Sequence, residues 1–148
     1  LLGGESRDAF MARTVPGWRA AQLVNAQPPG GRVMALDFPA PFCFDRPWIA
    51  EGLAVEPPLR VWIESSRSAA DVLDHLRRED VRYLVVTPGY GGGTPQSLLP
   101  LADSRQSMQR VLGLRAALRL VGTADGVDVF AVPPAAASTT GAAAPTRP

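Results

Sequence analysis

A strand, a helix and a second strand in close succession constrain this chain more than any other feature of its sequence. Residues 32–38 (RVMALDF) are short, mostly apolar and bounded by glycine and proline, which predicts a buried strand. Ser68 then begins an amphipathic helix, with Asp71 three residues later in the position of a capping-box acid. Residues 81–86 (VRYLVV) follow almost at once as another apolar strand. This succession is typical of a parallel α/β unit.

Two short helices are predicted ahead of the first strand. The first covers residues 6–13, and Pro16 then marks the break before the second helix. In the second, Trp18, Ala21 and Val24 recur at helical spacing. This spacing predicts a helix with one buried face.

A further helix and a hairpin are predicted towards the C-terminal end. Asp103 or Ser104 caps the helix. The helix residues expected to point inward are Met108, Val111 and Leu112. Residues 118–122 and 127–132 are predicted strands, and the Asp-Gly step in the turn between them is a strong signal for an antiparallel hairpin.

A proline-rich stretch lies between the first strand and the Ser68 helix. Within it, residues 42–45 are expected to form a second, weaker strand. The rest of the stretch is expected to be mostly loop or sheet edge, because each proline removes a hydrogen-bond donor from a sheet. The whole pattern predicts an α/β fold with a small mixed sheet, βαβ units, helices on its faces and a C-terminal β-hairpin.

The length of 148 residues and the hydrophobic content predict one domain. We expect the α/β domain to cover residues 16–133, after a helical lead-in over residues 1–15. Residues 134–148 consist mostly of Ala, Pro, Thr, Ser and Gly without periodicity, which predicts a disordered tail. Because the first residue is Leu1 rather than methionine, we interpret the chain as a fragment of a longer protein.

The charge pattern argues against nucleic-acid binding. All fifteen basic residues are arginines, the formal net charge is +1, and acidic residues are interleaved with the arginines along the chain. No basic stripe results of the kind that neutralises a phosphate backbone. The sequence also has no run of about 20 apolar residues, the length that spans a bilayer, so we expect a soluble domain.

The strongest candidate for a ligand-binding segment is a glycine-rich loop, PGYGGGTP, over residues 88–95. Backbone amides in such a loop can cradle a phosphate group. The segment Gly89 to Gly93 lacks the spacing of the known phosphate-binding motifs and has no lysine, so a surface loop is the preferred interpretation.

Four other features have structural explanations that we prefer to functional ones. Cys43, between two phenylalanines, is expected to be a small buried thiol. His75 is expected to form a solvated helix pair with Asp71, four residues earlier. Glu79-Asp80 is expected to be a solvated helix end. Asp45-Arg46-Pro47, followed by Trp48, is expected to be a turn in which the arginine stacks on an aromatic ring, rather than the lining of a polar pocket. We therefore assign no catalytic residue, no cofactor site and no metal site.

Four segments together resemble a known family. They are SRDAFMARTVPGWRAAQLVN at residues 6–25, PPGGRVMAL at residues 28–36, FCFDRP at residues 42–47 and DHLRREDVRYLVV at residues 74–86. In this order they are similar to the C-terminal extracytoplasmic region of polytopic membrane glycosyltransferases of the GT-C type. The family is the one related to dolichyl-phosphate-mannose protein mannosyltransferases and lipid A aminoarabinose transferases.

The resemblance implies that the parent protein transfers a sugar from a polyprenyl-phosphate donor on the outer side of the membrane. It implies a membrane segment ahead of the lead-in and places the catalytic acid in an outer loop that this chain does not contain. The implied partners are the transmembrane core of the same protein and the acceptor substrate. Trp18, Trp48 and Tyr90 are candidates for contact with a sugar face, although burial explains the tryptophans equally well.

Two alternatives from other classes stay open at this point. One is a free-standing α/β module that binds a small ligand through the Gly89 to Gly93 loop. The other is a structural interaction domain, which would require an exposed apolar patch large enough for a partner.

Overall fold

A computed structural model describes residues 4–51, 58–87 and 101–135 of the chain. The elements within these ranges are α1 (Arg7–Thr14), α2 (Trp18–Asn25), β1 (Arg32–Leu36), a 3-10 turn (Pro41–Cys43), β2 (Trp48–Glu51), α3 (Pro58–Ser65), α4 (Ala69–Arg78), β3 (Val81–Val86), α5 (Arg105–Ala117), β4 (Arg119–Ala124) and β5 (Val127–Ala131). The predicted glycine loop and residues 136–148 of the predicted tail lie outside the described residues.

The five strands form one mixed sheet in the order β2-β1-β3-β5-β4. Strand β1 lies parallel to both β2 and β3, and β5 lies antiparallel to both β3 and β4. The hairpin turn has positive φ at Asp125 (53°) and Gly126 (75°), as a two-residue turn that matches the twist of its strands requires. The predicted α/β fold, with its βαβ unit and its C-terminal hairpin, is confirmed.

The three central strands are buried on both faces, because their side chains alternate between two hydrophobic clusters. Met34 and Leu84 point into the larger cluster, which α3, α4 and α5 cover. Val33 and Val85 point into the second cluster, which α2 covers. Phe130 of β5 completes the larger cluster and is fully buried. Helices on both faces of the sheet thus confirm the layered arrangement that the sequence predicts.

Helix α4 begins with the capping box that the sequence predicts. The Oγ of Ser68 accepts a hydrogen bond from the amide of Asp71 at 3.2 Å, and the carboxylate of Asp71 accepts one from the amide of Ser68 at 3.0 Å. The helix then buries Val72, Leu73 and Leu76 against the larger cluster. Local capping and core packing therefore fix the same helix start.

We expect the substitution Ser68→Ala to lower the free energy of unfolding by about 1 kcal/mol, because it removes the side-chain cap of a helix that packs on the core. Ser6→Ala is the matched control. Ser6 caps α1 in the same way, but α1 has no buried residue, so its fraying is weakly coupled to global unfolding. Urea unfolding followed by circular dichroism measures both, and equal losses in the two variants would contradict the prediction.

The structure corrects the prediction of a weak strand over residues 42–45. This stretch begins with the 3-10 turn Pro41–Cys43, and the edge strand β2 comes after it, at Trp48–Glu51. The side chain of Asn25 bonds the carbonyl of Cys43 and the amide of Asp45, at 3.0 and 3.1 Å. These two backbone groups are thus occupied by a side chain from α2 and do not pair with a strand.

Helix α5 faces the core with a different set of residues from the predicted one. The sequence predicts Met108, Val111 and Leu112 on the inner side. Val111 is buried and Met108 is half-buried, but Leu112 is 53% exposed. The buried positions are Ser107, Val111 and Leu114, spaced by four and three residues. Leu112 lies about 100° around the helix from Val111, and this rotation turns it towards solvent.

Candidate functional site

A buried arginine lies where the chain segments 25–28, 43–46 and β3 meet. The side chain of Arg46 is only 6% exposed. Its three nitrogens donate to three oxygens: Nη1 to the carbonyl of Pro28 at 3.2 Å, Nη2 to the carbonyl of Gln27 at 3.3 Å and Nε to the carboxylate of Asp45 at 3.2 Å. The guanidinium therefore links the segment after the C-terminal end of α2 to the bend at residues 45–46.

The same guanidinium lies over the ring of Tyr83 on β3, with 5.1 Å between its central carbon and the ring centroid. This is the geometry of a cation–π contact. It confirms the expected structural role of the Asp45-Arg46 bend, with the arginine stacked on an aromatic ring. We name the set Asn25, Asp45, Arg46 and Tyr83 the Arg46 cluster. Sequence reasoning did not connect Asn25 and Tyr83 with this bend, because both residues are distant from it in the chain.

Cys43 lies beside the Arg46 cluster and is half-buried, where full burial was predicted. Removal from water raises the pKa of its thiol, because the charged thiolate is the form that burial disfavours. The group is therefore the protonated thiol at neutral pH, which is the unreactive form. The expectation of an inert structural thiol is retained, with partial rather than complete burial.

The predicted pair between His75 and Asp71 is wrong. The carboxylate of Asp71 turns back to the helix start, where it accepts hydrogen bonds from the amides of Arg67 and Ser68, both at 3.0 Å. His75 instead stacks on Trp62 of α3, with nearly parallel rings 5.7 Å apart. Its Nδ1 lies 2.9 Å from Nη2 of Arg78, and since arginine only donates, Nδ1 accepts this bond. Asp71 therefore caps the helix start and does not pair with His75, although the two residues are four positions apart.

Glu79 and Asp80 are both exposed, which confirms the predicted solvated helix end. The carboxylate of Glu79 lies 3.7 Å from Arg32, and that of Asp80 lies 3.1 Å from Arg82. Asp80 has a φ of 53°, and this left-handed residue allows β3 to follow α4 directly.

In the part of the chain that the structure describes, no three His, Cys, Asp or Glu side chains form a group that could hold a metal ion.

The two described tryptophans proposed for sugar contact lie on different elements. Trp18 is half-buried and lines an open depression of about 430 Å³ between α1 and α2. Trp48 is 44% exposed on the edge strand β2. Tyr90 and the Gly89 to Gly93 loop lie outside the described residues, so the phosphate-loop hypothesis stays a prediction.

A polar depression of about 570 Å³ lies where α3 gives way to α4, which we name the Ser66 pocket. Its lining residues are Ser66, Arg67, Ser68, Ala69, Gln106, Gln109 and Arg110. Ser66 is only 6% exposed, and its Oγ has no hydrogen-bond partner among the described residues. Sequence reasoning missed this pocket because three of its seven lining residues come from α5, which is distant in the chain.

No helix within the described ranges has both the length and the apolar character needed to cross a bilayer. Comparison of the chain with protein-family models, with curated proteins and with solved structures finds no match.

Proposed function

We propose that this chain is the C-terminal extracytoplasmic domain of a multi-spanning membrane glycosyltransferase of the GT-C type, which transfers a sugar from a polyprenyl-phosphate donor. Catalysis belongs to the membrane core of the parent protein, and this domain contributes no catalytic residue. The observation that supports the proposal is the Arg46 cluster, because the four segments that carry the family resemblance meet there.

Each resembling segment supplies a part of this small region. Residues 6–25 end at Asn25, which bonds the backbone carbonyl of Cys43 and the backbone amide of Asp45. Residues 28–36 begin with the Pro28 carbonyl that Arg46 binds. Residues 42–47 contain Arg46 itself, and residues 74–86 contain the tyrosine beneath it. Residue types that are scattered in the sequence are thus joined by direct contacts in one small region.

In this proposal the N-terminal helix joins the domain to its own membrane core. Helix α1 has no buried residue, and Phe10 on it is 47% exposed. Arg13 lies over the Phe10 ring at 5.6 Å and also pairs with Glu5 at 2.9 Å. An apolar ring next to charged groups suits a helix that lies at the boundary between a soluble domain and a membrane-embedded part.

The test is to sequence the parent gene upstream of the codon for Leu1. We expect several apolar segments, each of about 20 residues, and acidic residues in the first outer loop. Membranes that contain the parent protein should transfer the sugar from a polyprenyl-phosphate donor, whereas this chain alone should transfer none. A short upstream stretch without apolar segments would refute the proposal and favour a free-standing module that binds its ligand through the Gly89 to Gly93 loop.

A further inference from the structure

We propose that the free edge of β4 binds a short acidic peptide, which pairs with it as an additional strand. Strand β4 lies at one end of the sheet, and within the described ranges it pairs with β5 alone. Its other side therefore carries N–H and C=O groups without a backbone partner among the described residues. An extended peptide can add to a sheet at such an edge. The inference does not depend on the proposed glycosyltransferase function, because no residue of the Arg46 cluster belongs to this edge.

Two exposed leucines lie beside the edge, on the face of the sheet that α5 covers. Leu120 pairs with Phe130, so both side chains point to the same face of the sheet. Leu112 comes three residues before Arg115, whose guanidinium lies 4.3 Å from the Phe130 ring centroid. Helix residues three apart lie on the same side, so Leu112 lies on the side of α5 that reaches the hairpin. Leu120 is 47% exposed and Leu112 is 53% exposed, so both are accessible to a ligand.

Three arginines surround these leucines. Arg105 precedes Leu112 by seven residues, which is about two helical turns, and so shares its side of α5. Arg115 lies between α5 and the hairpin, and Arg119 is exposed next to Leu120 on β4. In the part of the chain that the structure describes, none of the three arginines forms an ion pair. We name the five residues the β4 surface: Arg105, Leu112, Arg115, Arg119 and Leu120.

The charge balance of the β4 surface favours an acidic ligand. Asp128 of β5 lies on the same face of the sheet as Phe130, and its carboxylate accepts a hydrogen bond from the hydroxyl of Thr123 at 2.6 Å. Asp103, close to α5 in the chain, is paired with Arg60 at 2.6 Å. Both carboxylates thus have partners other than the three arginines. The guanidinium groups are available to carboxylates of a ligand, and this complementarity selects an acidic partner.

The shape of the edge favours a short peptide over a second copy of this chain. The register of β4 with β5 shifts between Leu120 and Gly122, and such a bulge increases the twist of the edge. A twisted edge hinders the pairing of two long strands. A second copy would also bring a second set of the same arginines to this edge, where like charges repel. On the opposite face, a Cβ on Gly122 would lie 3.2 Å from Leu23 of α2, so the ligand has room on the α5 side only.

The test is an NMR titration of the 148-residue chain with a blocked peptide of alternating glutamate and valine, about seven residues long. We expect saturable shifts of the amides from Leu120 to Ala124 and slower hydrogen exchange there. A matched peptide with proline in place of the central valine should bind at least about tenfold more weakly, because proline cannot donate to a strand. A peptide with lysine in place of glutamate should not bind. Equal binding of the first peptide and either control would overturn the proposal.

Arginine variants test the charge complementarity. Arg105→Gln and Arg119→Gln should each weaken binding of the glutamate peptide about threefold, and together about tenfold, as is typical of exposed charge pairs. The control Arg7→Gln removes an exposed arginine of α1 that has no ion pair within the described ranges, so the dissociation constant should not change. An equal effect of the control would contradict a site at β4.

A leucine variant separates peptide binding from folding. Leu120→Thr keeps a residue that favours strands but removes apolar surface, so binding should weaken severalfold while the midpoint of urea unfolding changes little. Val61→Thr makes a comparable change at a side chain of α3 that is 43% exposed and should leave binding intact. If Leu120→Thr binds the peptide as well as the parent chain does, the β4 surface is not the site and the proposal fails.

Two other occupants are outcomes of the same experiments. A basic surface with exposed leucines can also lie on an anionic bilayer. Cosedimentation with phosphatidylglycerol vesicles that is lost in the double arginine variant, without binding of the glutamate peptide, would assign the surface to lipid and overturn the proposal. Sedimentation equilibrium that shows a dimer, together with protected β4 amides in the absence of peptide, would assign the edge to a second copy and also overturn it.

Discussion

Replacing Phe130 with alanine should lower the free energy of unfolding by about 3–5 kcal/mol, the largest loss that we expect from a single substitution in this chain. Phe130 is fully buried on β5, between Leu84 of β3 and Leu120 of β4. Its ring packs in the larger hydrophobic cluster, and the guanidinium of Arg115 lies 4.3 Å from its centroid. Truncation removes the transfer free energy of the ring and leaves a cavity between three strands that cannot collapse independently.

The control for this prediction is Phe42→Ala. It makes the same chemical change at a ring that is 70% exposed, so we expect a loss of less than about 0.5 kcal/mol. Urea unfolding followed by tryptophan fluorescence and by circular dichroism gives both values. A domain of this size is stabilised by about 5–15 kcal/mol, so Phe130→Ala alone removes a large part of the total. Similar losses in the two variants would show that Phe130 is not in the core.

Replacing Arg46 with methionine should lower the free energy of unfolding by about 2–4 kcal/mol. Methionine keeps the length and the apolar stem of the side chain. It removes the donors to the carbonyls of Gln27 and Pro28 and the contact with the Tyr83 ring. The end of α2 and the bend at residue 45 then lose the group that binds them together, and the second hydrophobic cluster, which α2 covers, is weakened.

Two further variants isolate the guanidinium as the cause. Arg46→Lys keeps the charge, but a single ammonium cannot serve both carbonyls and the ring, so an intermediate loss is expected. Arg119→Met makes the same change at an exposed arginine and should cost less than about 0.5 kcal/mol. Urea unfolding measures all three. If Arg46→Lys is as stable as the parent chain, the planar fork of the guanidinium is not required and the Arg46 cluster has been misinterpreted.

The fold class and most of the helices and strands followed from local signals in the sequence. The bounds of β3 at Val81–Val86 are those that its apolar run predicts, because a strand buried on both faces needs such a run. The Ser68 cap and the Asp125-Gly126 turn were predicted because capping and hairpin turns depend on residues within about four positions of each other. These features concern neighbours in the chain, so a single sequence contains their cause.

Other features depended on contacts between distant residues. Asn25 decides that residues 42–45 are not a strand, and Asp71 turns towards the helix start and away from His75. Helix α3 at Pro58–Ser65 was not predicted at all, since its apolar residues find their partners on α4 and α5.

The candidate sites depended on tertiary structure to the greatest degree. The sequence indicates a turn at Arg46, and only the contacts with α2 and β3 show that its side chain is buried. The sequence did not single out Ser66 at all, because its pocket also needs residues of α5. Local spacing along the chain was enough to predict the capped helices, the apolar strand β3, the hairpin and the α/β class. Which polar groups are buried could not be predicted in this way, because burial is set by surfaces that meet across the fold.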